Sequence, residues 1–177
     1  MSEKTQEKRY IVVMSDKDFE RIPFNGKEKL PRTDWYFEDH RIRKFTEDSG
    51  KEKFFRVEKG YEGLSVKKHV YLHKLDIYEH LEDHQCTFKV TCTPKFIPVG
   101  GDSLYVEKLD VYVDGKLKIT FYSTEAENPY AEKFIEDTKS AIIGFGIIED
   151  IIPLGNMSMR EIVNNKLNGK GDSGWVK

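Results

Sequence analysis

Residues 104–127, LYVEKLDVYVDGKLKITFYSTEAE, decide how the chain is read. Asp114-Gly115 separates two runs rich in Val, Ile, Thr, Tyr and Phe, and that dipeptide between β-formers is a strong sign of a tight hairpin. With Asp114 and Gly115 as the two turn residues, period-2 alternation puts Asp110, Ile119, Phe121, Ser123, Glu125 and Glu127 on one face. Leu109, Val111, Val113 and Tyr122 fall on the other. Apolar groups then occur on both faces, which implies a sheet covered outside and closed or folded over inside. Glu125 and Glu127 also point the same way, and like charges so placed repel unless a cation or basic side chains lie between them.

A chain of 177 residues is long enough to bury a sizeable core, and a single domain over 1–177 is expected, with frayed ends at 1–6 and 168–177. Lys and Arg number 29 against 31 Asp and Glu, a net charge of −2 that argues against bulk nucleic-acid binding while leaving room for a local basic cavity. No apolar run reaches membrane-spanning length and MSEKTQEKR has no signal-peptide core, so a cytoplasmic protein is expected. Cys86 and Cys92 stand six residues apart in one extended segment. That spans roughly 20 Å, too far for a disulfide, and both read as packing thiols.

Outward from the hairpin, residues 7–13 alternate as a strand, and Ser15 is a candidate N-cap for a short helix to about Arg21. Pro23, Asn25-Gly26 and Pro31 mark a loop. The aromatic-rich segment 34–43 reads as one strand that ends in Arg41 and Arg43, with 53–59 returning after a turn at 47–50. A further strand is expected over 64–72, helical or irregular chain over 75–81, and a strand over 87–93 that Pro94 demotes to an edge or bulge. Beyond Glu127, apolar residues at helical spacing predict a helix over 130–143, an apolar connector over 147–153 and a second helix over 159–167 behind a Ser158 N-cap. The expected class is α+β: an antiparallel β-barrel, or tunnel, of about eight strands with flanking helices.

No Walker loop, GxGxxG, HExxH or nucleophile elbow is present, and the five histidines read as solvated or structural. What remains is charge carried on strands: Glu7 and Arg9, Arg41 and Arg43, Arg56 and Lys59, Lys89, Lys95, Asp110, Glu125 and Glu127. In a closed sheet, alternate residues of several strands face one lumen. There the basic groups would hold phosphates, and the carboxylates would hold Mg²⁺ or Mn²⁺, hard cations that prefer oxygen ligands.

The order of these pieces resembles the CYTH superfamily of triphosphate tunnel metalloenzymes, nearest to its class IV adenylyl cyclase and thiamine triphosphatase-like branch. The pieces are an N-terminal strand with Glu-x-Arg, an aromatic YFEDHRIR strand, a returning strand ending in Lys59, a hairpin with Asp110 and a strand ending Glu125-Ala126-Glu127 before a helix. Residues 146–152 and 158–163 resemble that branch's closing helices. The resemblance implies that Glu7, Glu125 and Glu127 bind metal and that Asp110 matches an acidic residue of the family's late hairpin. It makes Arg9, Arg41, Arg43 and Lys59 triphosphate-binding groups, with Lys89 or Lys95 as a further contact; Arg56 is a phosphate-binding candidate from its place on the returning strand. Glu7 and Arg9 occupy the catalytic opening motif, although Thr5 stands where the family has a first glutamate and Arg9 stands where it has lysine. An arginine stays protonated, so a general-base lysine is lost. Two functions follow: metal-dependent hydrolysis or cyclisation of a triphosphate, and non-catalytic capture of a nucleotide or other small phosphorylated ligand. A homodimer is compatible with either.

Overall fold

The computed structural model describes residues 8–22, 30–47, 49–59, 65–71, 79–82, 84–99, 102–126, 128–144 and 146–168, without the side chains of 57–59, 65–71, 99, 102 and 141–144. Nine strands occur among them: β1 (Lys8–Val13), β2 (Arg32–Tyr36), β3 (His40–Thr46), β4 (Glu52–Lys59), β5 (Ser65–Tyr71), β6 (Phe88–Val99), β7 (Asp102–Val113), β8 (Lys116–Ala126) and β9 (Asp150–Gly155). Three helices accompany them: α1 (Asp16–Arg21), α2 (Pro129–Gly144) and α3 (Met159–Leu167). The strands hydrogen-bond in the order β5-β4-β3-β2-β6-β7-β8-β1-β9. The expected antiparallel α+β architecture is present, with nine strands instead of about eight. Among the described residues β5 and β9 end the sheet, so no ring of hydrogen bonds closes it.

Local chemistry explains the ends of several elements. Asp114 and Gly115 have φ of 53° and 76°, so both turn residues are left-handed, as a type I′ hairpin requires. Ser15 accepts a hydrogen bond from the Asp18 N–H at 3.1 Å and Ser158 one from the Glu161 N–H at 3.2 Å, so both expected N-caps form.

Two compact units make up the chain. One comprises Met1–Asn25, Pro94–Leu109 and Ile119–Lys177, and its core joins Tyr10, Val12, Phe19, Ile97, Leu104, Val106, Tyr122, Ile135 and Ile151. Here β1 pairs antiparallel with both β8 and β9. Residues 147–153 are therefore more than a connector: β9 is a strand on the sheet's edge, where Pro153 costs no ladder bond on the open side. Tyr122 shares a core with Leu104 and Val106, the even-numbered residues of β7. An uninterrupted two-residue hairpin would have set Tyr122 opposite Glu107, so the expected face assignment does not hold at Tyr122.

The other unit comprises Gly26–Thr93 and Asp110–Lys118, with Phe37, Ile42 and Phe54 buried and Trp35, Leu81 and Cys86 packed against them. Segment 34–43 is not one strand. The Phe37 N–H bonds the His40 carbonyl at 2.9 Å, and Glu38-Asp39 forms an exposed turn between β2 and β3. β6 runs on through Pro94, which is buried. Its register with β2 ends at Cys92, so on that side the missing proline N–H interrupts no ladder. Cys86 and Cys92 are free thiols.

Candidate functional site

Directly opposed residues of an antiparallel pair share a face, and the β2–β3 register sets Arg32 opposite Phe45, Asp34 opposite Arg43 and Tyr36 opposite Arg41. One face thus carries Arg32, Arg41 and Arg43 around the carboxylate of Asp34, which is 1% exposed. Arg43 donates to Asp34 twice, Nε to Oδ1 at 2.8 Å and Nη2 to Oδ2 at 3.0 Å. Arg32 Nε lies 3.5 Å from Asp34 Oδ2. The Arg41 guanidinium sits 5.7 Å from the centroid of the Tyr36 ring, and its Nε is buried without a hydrogen-bond partner.

The electrostatics follow from that packing. Burial alone would raise the Asp34 pKa, but the charge and hydrogen bonds of Arg43, aided by Arg32 and Arg41, hold it below the ordinary carboxylate value. Burial works against the charge of Arg43, and Asp34 more than offsets it, so this guanidinium is held on more firmly than usual. The Tyr36 phenol is pushed up, chiefly by burial and then by the Asp34 charge. Three guanidiniums thus gather around the Asp34 carboxylate.

The remaining anticipated residues do not all join it. Arg56 is opposite Ile42, on the other face of the same strands. Lys89 is opposite Trp35, also on that other face, and its ammonium lies 4.7 Å from the Tyr112 ring centroid. Asp110, two residues from Tyr112, shares that strand side by alternation. Trp35, Leu81, Lys89 and Tyr112 help line a shallow pocket of about 270 Å³ there. Arg41 and Arg43 are thus brought together, whereas Arg56, Lys89 and Asp110 are set apart from them.

In the other unit, β1 and β8 place Arg9 opposite Glu125, and Arg9 Nη1 lies 3.1 Å from Glu125 Oε2. Lys95 is buried and donates to the carbonyls of Phe19 at 2.8 Å and Glu20 at 3.4 Å. It therefore caps the C-terminus of α1, and of the two candidate lysines it is the one with a structural task. Glu107, which the sequence reading passed over, is 2% exposed and alternates with the core residue Val106. Glu7 and Glu127 lie outside the described residues, as does the Lys59 side chain. Among the described residues no group of three or more His, Cys, Asp or Glu is placed to hold a metal ion.

Reading 34–43 as a single strand hides the opposition of Asp34 and Tyr36 to Arg43 and Arg41, and Arg32 falls before that segment, outside every expected strand. The available signal was Glu38-Asp39, two polar residues in an otherwise aromatic and β-branched run, which marks a turn.

No family model matches the chain. No curated protein matches it. A solved structure named as a putative adenylate cyclase from Bacillus halodurans is similar at 13% sequence identity and a TM-score of 0.43, over 81% of this chain and 90% of that one. A likeness at that level carries no argument about this chain.

Proposed function

We propose that the chain binds a small phosphorylated anion on the β2–β3 face that carries Arg32, Arg41 and Arg43. The observation behind this reading is the buried Arg41 Nε that has no hydrogen-bond partner, in a face where three guanidiniums gather around Asp34. Burying charge and donor capacity without a partner is costly. A phosphate offsets both, since its oxygens accept the forked donors of arginine. A multiply charged ligand suits a cluster of guanidiniums better than a single carboxylate does. Among such ligands, a nucleotide or other triphosphate is the one the sequence resemblance implies.

Metal-dependent turnover of a triphosphate is the second reading, and in the other unit Glu125 favours it as a half-buried carboxylate on a strand. Mg²⁺ or Mn²⁺ would polarise phosphoryl oxygens there. The described residues alone do not fit such an ion, because Glu125 is paired with Arg9 and no third ligand converges. Glu7 and Glu127 would have to complete the set.

Calorimetric titration with inorganic triphosphate and with ATP, in chelator and then in Mg²⁺, tests the binding reading. Saturable binding in chelator that Arg41→Ala weakens by about tenfold or more, the size of a lost charged hydrogen bond, supports it. Equal affinity in parent and variant, or no saturable binding of either ligand, rejects it.

A further inference from the structure

At the β2–β3 turn, the buried His40 ring lies between a carboxylate and a second imidazole. Asp39 Oδ1 is 2.5 Å from His40 Nδ1, and His40 Nε2 is 3.1 Å from His80 Nε2. His40 stacks on Phe37 at 4.4 Å between centroids with 5° between the planes, which fixes its orientation. His84 stacks on His80 at 4.2 Å, and its Nδ1 is 3.1 Å from the His80 carbonyl oxygen, so the second ring is held as well. The Asp39 side chain is 81% exposed, which leaves the group open to solvent on one side.

A proton on His40 Nδ1, directed at Asp39, leaves the Nε2 lone pair facing His80. His80 then has two options: a tautomer that donates Nε2–H to His40, or the other tautomer, with both lone pairs converging on a shared cation. Two nitrogens bound to zinc, each at about 2.0–2.1 Å, lie roughly 3.3 Å apart at a tetrahedral angle and roughly 2.9 Å apart at a square-planar one. The observed 3.1 Å falls between these values. A carboxylate on the far nitrogen of a ligating histidine is the common second-shell device for fixing tautomer and raising basicity.

We propose that His40 and His80, with Asp39 behind His40, form a two-histidine site for an imidazole-preferring divalent transition ion such as Zn²⁺. Water or an exogenous ligand fills the remaining positions, because among the described residues no third His, Cys, Asp or Glu joins the pair. Arg56 faces the same group and its charge opposes a cation there, which limits affinity without blocking the approach past Asp39. The site is independent of the arginine cluster, since His40, Ile42 and Arg56 occupy the opposite face of β3 and β4.

The test is titration of untagged protein with Zn²⁺, followed through the histidine ring ¹H–¹⁵N signals and by calorimetry. One equivalent should bind and shift the His40 and His80 ring nitrogens, and His80→Asn should weaken binding by about tenfold or more. His80 lies in the helical turn at 79–82 and is less buried than His40, so that variant tests the site even where His40→Asn fails to fold. Zn²⁺ binding that leaves both rings unshifted, or that is equally tight in His80→Asn, overturns the proposal, as does the absence of saturable binding.

Discussion

Arg43 and Asp34 face each other across β2 and β3, joined by two hydrogen bonds of 2.8 and 3.0 Å. The carboxylate is almost fully enclosed, and neutralising one partner of a buried pair leaves the other charge without compensation. Asp34→Asn should therefore destabilise the protein by about 3–5 kcal/mol, read from the midpoint of urea denaturation at unchanged slope. A change below about 1 kcal/mol would show that the cluster tolerates loss of the Asp34 charge.

Division of labour between neighbouring arginines should be measurable. Arg43→Ala removes the bidentate partner of Asp34 and should cost stability first. Arg41 is not drawn into that pair, so Arg41→Ala should lower triphosphate affinity by about tenfold with a much smaller stability change. Parallel denaturation and calorimetry on the two variants check this, and identical effects in both assays would contradict it.

Stability should fall in acid in two separate windows. Folded Asp34 releases its proton more readily than the unfolded chain does. The unfolded state thus binds more protons as pH drops through about 3.9, and stability is lost there. His80 is also depressed, by burial first and then by His84, His40 and Arg56. Its contribution is complete above about pH 6.5 and declines below it. His80→Gln should flatten the upper window alone in a pH series of denaturation midpoints, and Asp34→Asn the lower.

Lys95 separates structure from binding. Its ammonium satisfies two carbonyls at the end of α1 and lies 4.6 Å from the Phe19 ring centroid. Lys95→Met keeps most of the stem and removes the ammonium donor from both carbonyls, although Phe19's still accepts from the Ile22 N–H. A loss of about 1–3 kcal/mol follows, with triphosphate affinity unchanged by calorimetry.

Much of the fold was legible because its signals are local. Asp114-Gly115, the Ser15 and Ser158 caps and the helical spacing of 130–143 each act within a few residues, and each element formed where it was expected. The site was less legible because it depends on register. Reading 34–43 as one strand would place Asp34 and Arg43 roughly 30 Å apart, whereas the Glu38-Asp39 turn brings them into contact. The same dependence explains Arg56, Lys89 and Asp110, which are charged residues on expected strands but on the face opposite Arg41. Lys95 has no sequence mark at all: its partners are backbone carbonyls 75 and 76 residues away in the chain.

The pairing of Arg9 with Glu125 gives the sharpest test of catalysis against capture. Arg9 Nη1 stands 3.1 Å from Glu125 Oε2, and the two side chains are similarly enclosed. A divalent ion that uses Glu125 must first displace this guanidinium. Arg9→Gln should then tighten Mg²⁺ binding by freeing the carboxylate. Glu125→Gln keeps the volume and removes the negative oxygen, so Mg²⁺-stimulated phosphate release should fall by about a hundredfold or more where the ion serves the chemistry. Capture without metal predicts the reverse pattern. Glu125→Gln would then leave triphosphate affinity in chelator equal or higher, because it removes a repulsive charge, and neither variant would alter turnover. Phosphate release and Mg²⁺ calorimetry on the parent and both variants distinguish the two, and an Mg²⁺ affinity unchanged in Arg9→Gln would remove Glu125 from any metal site.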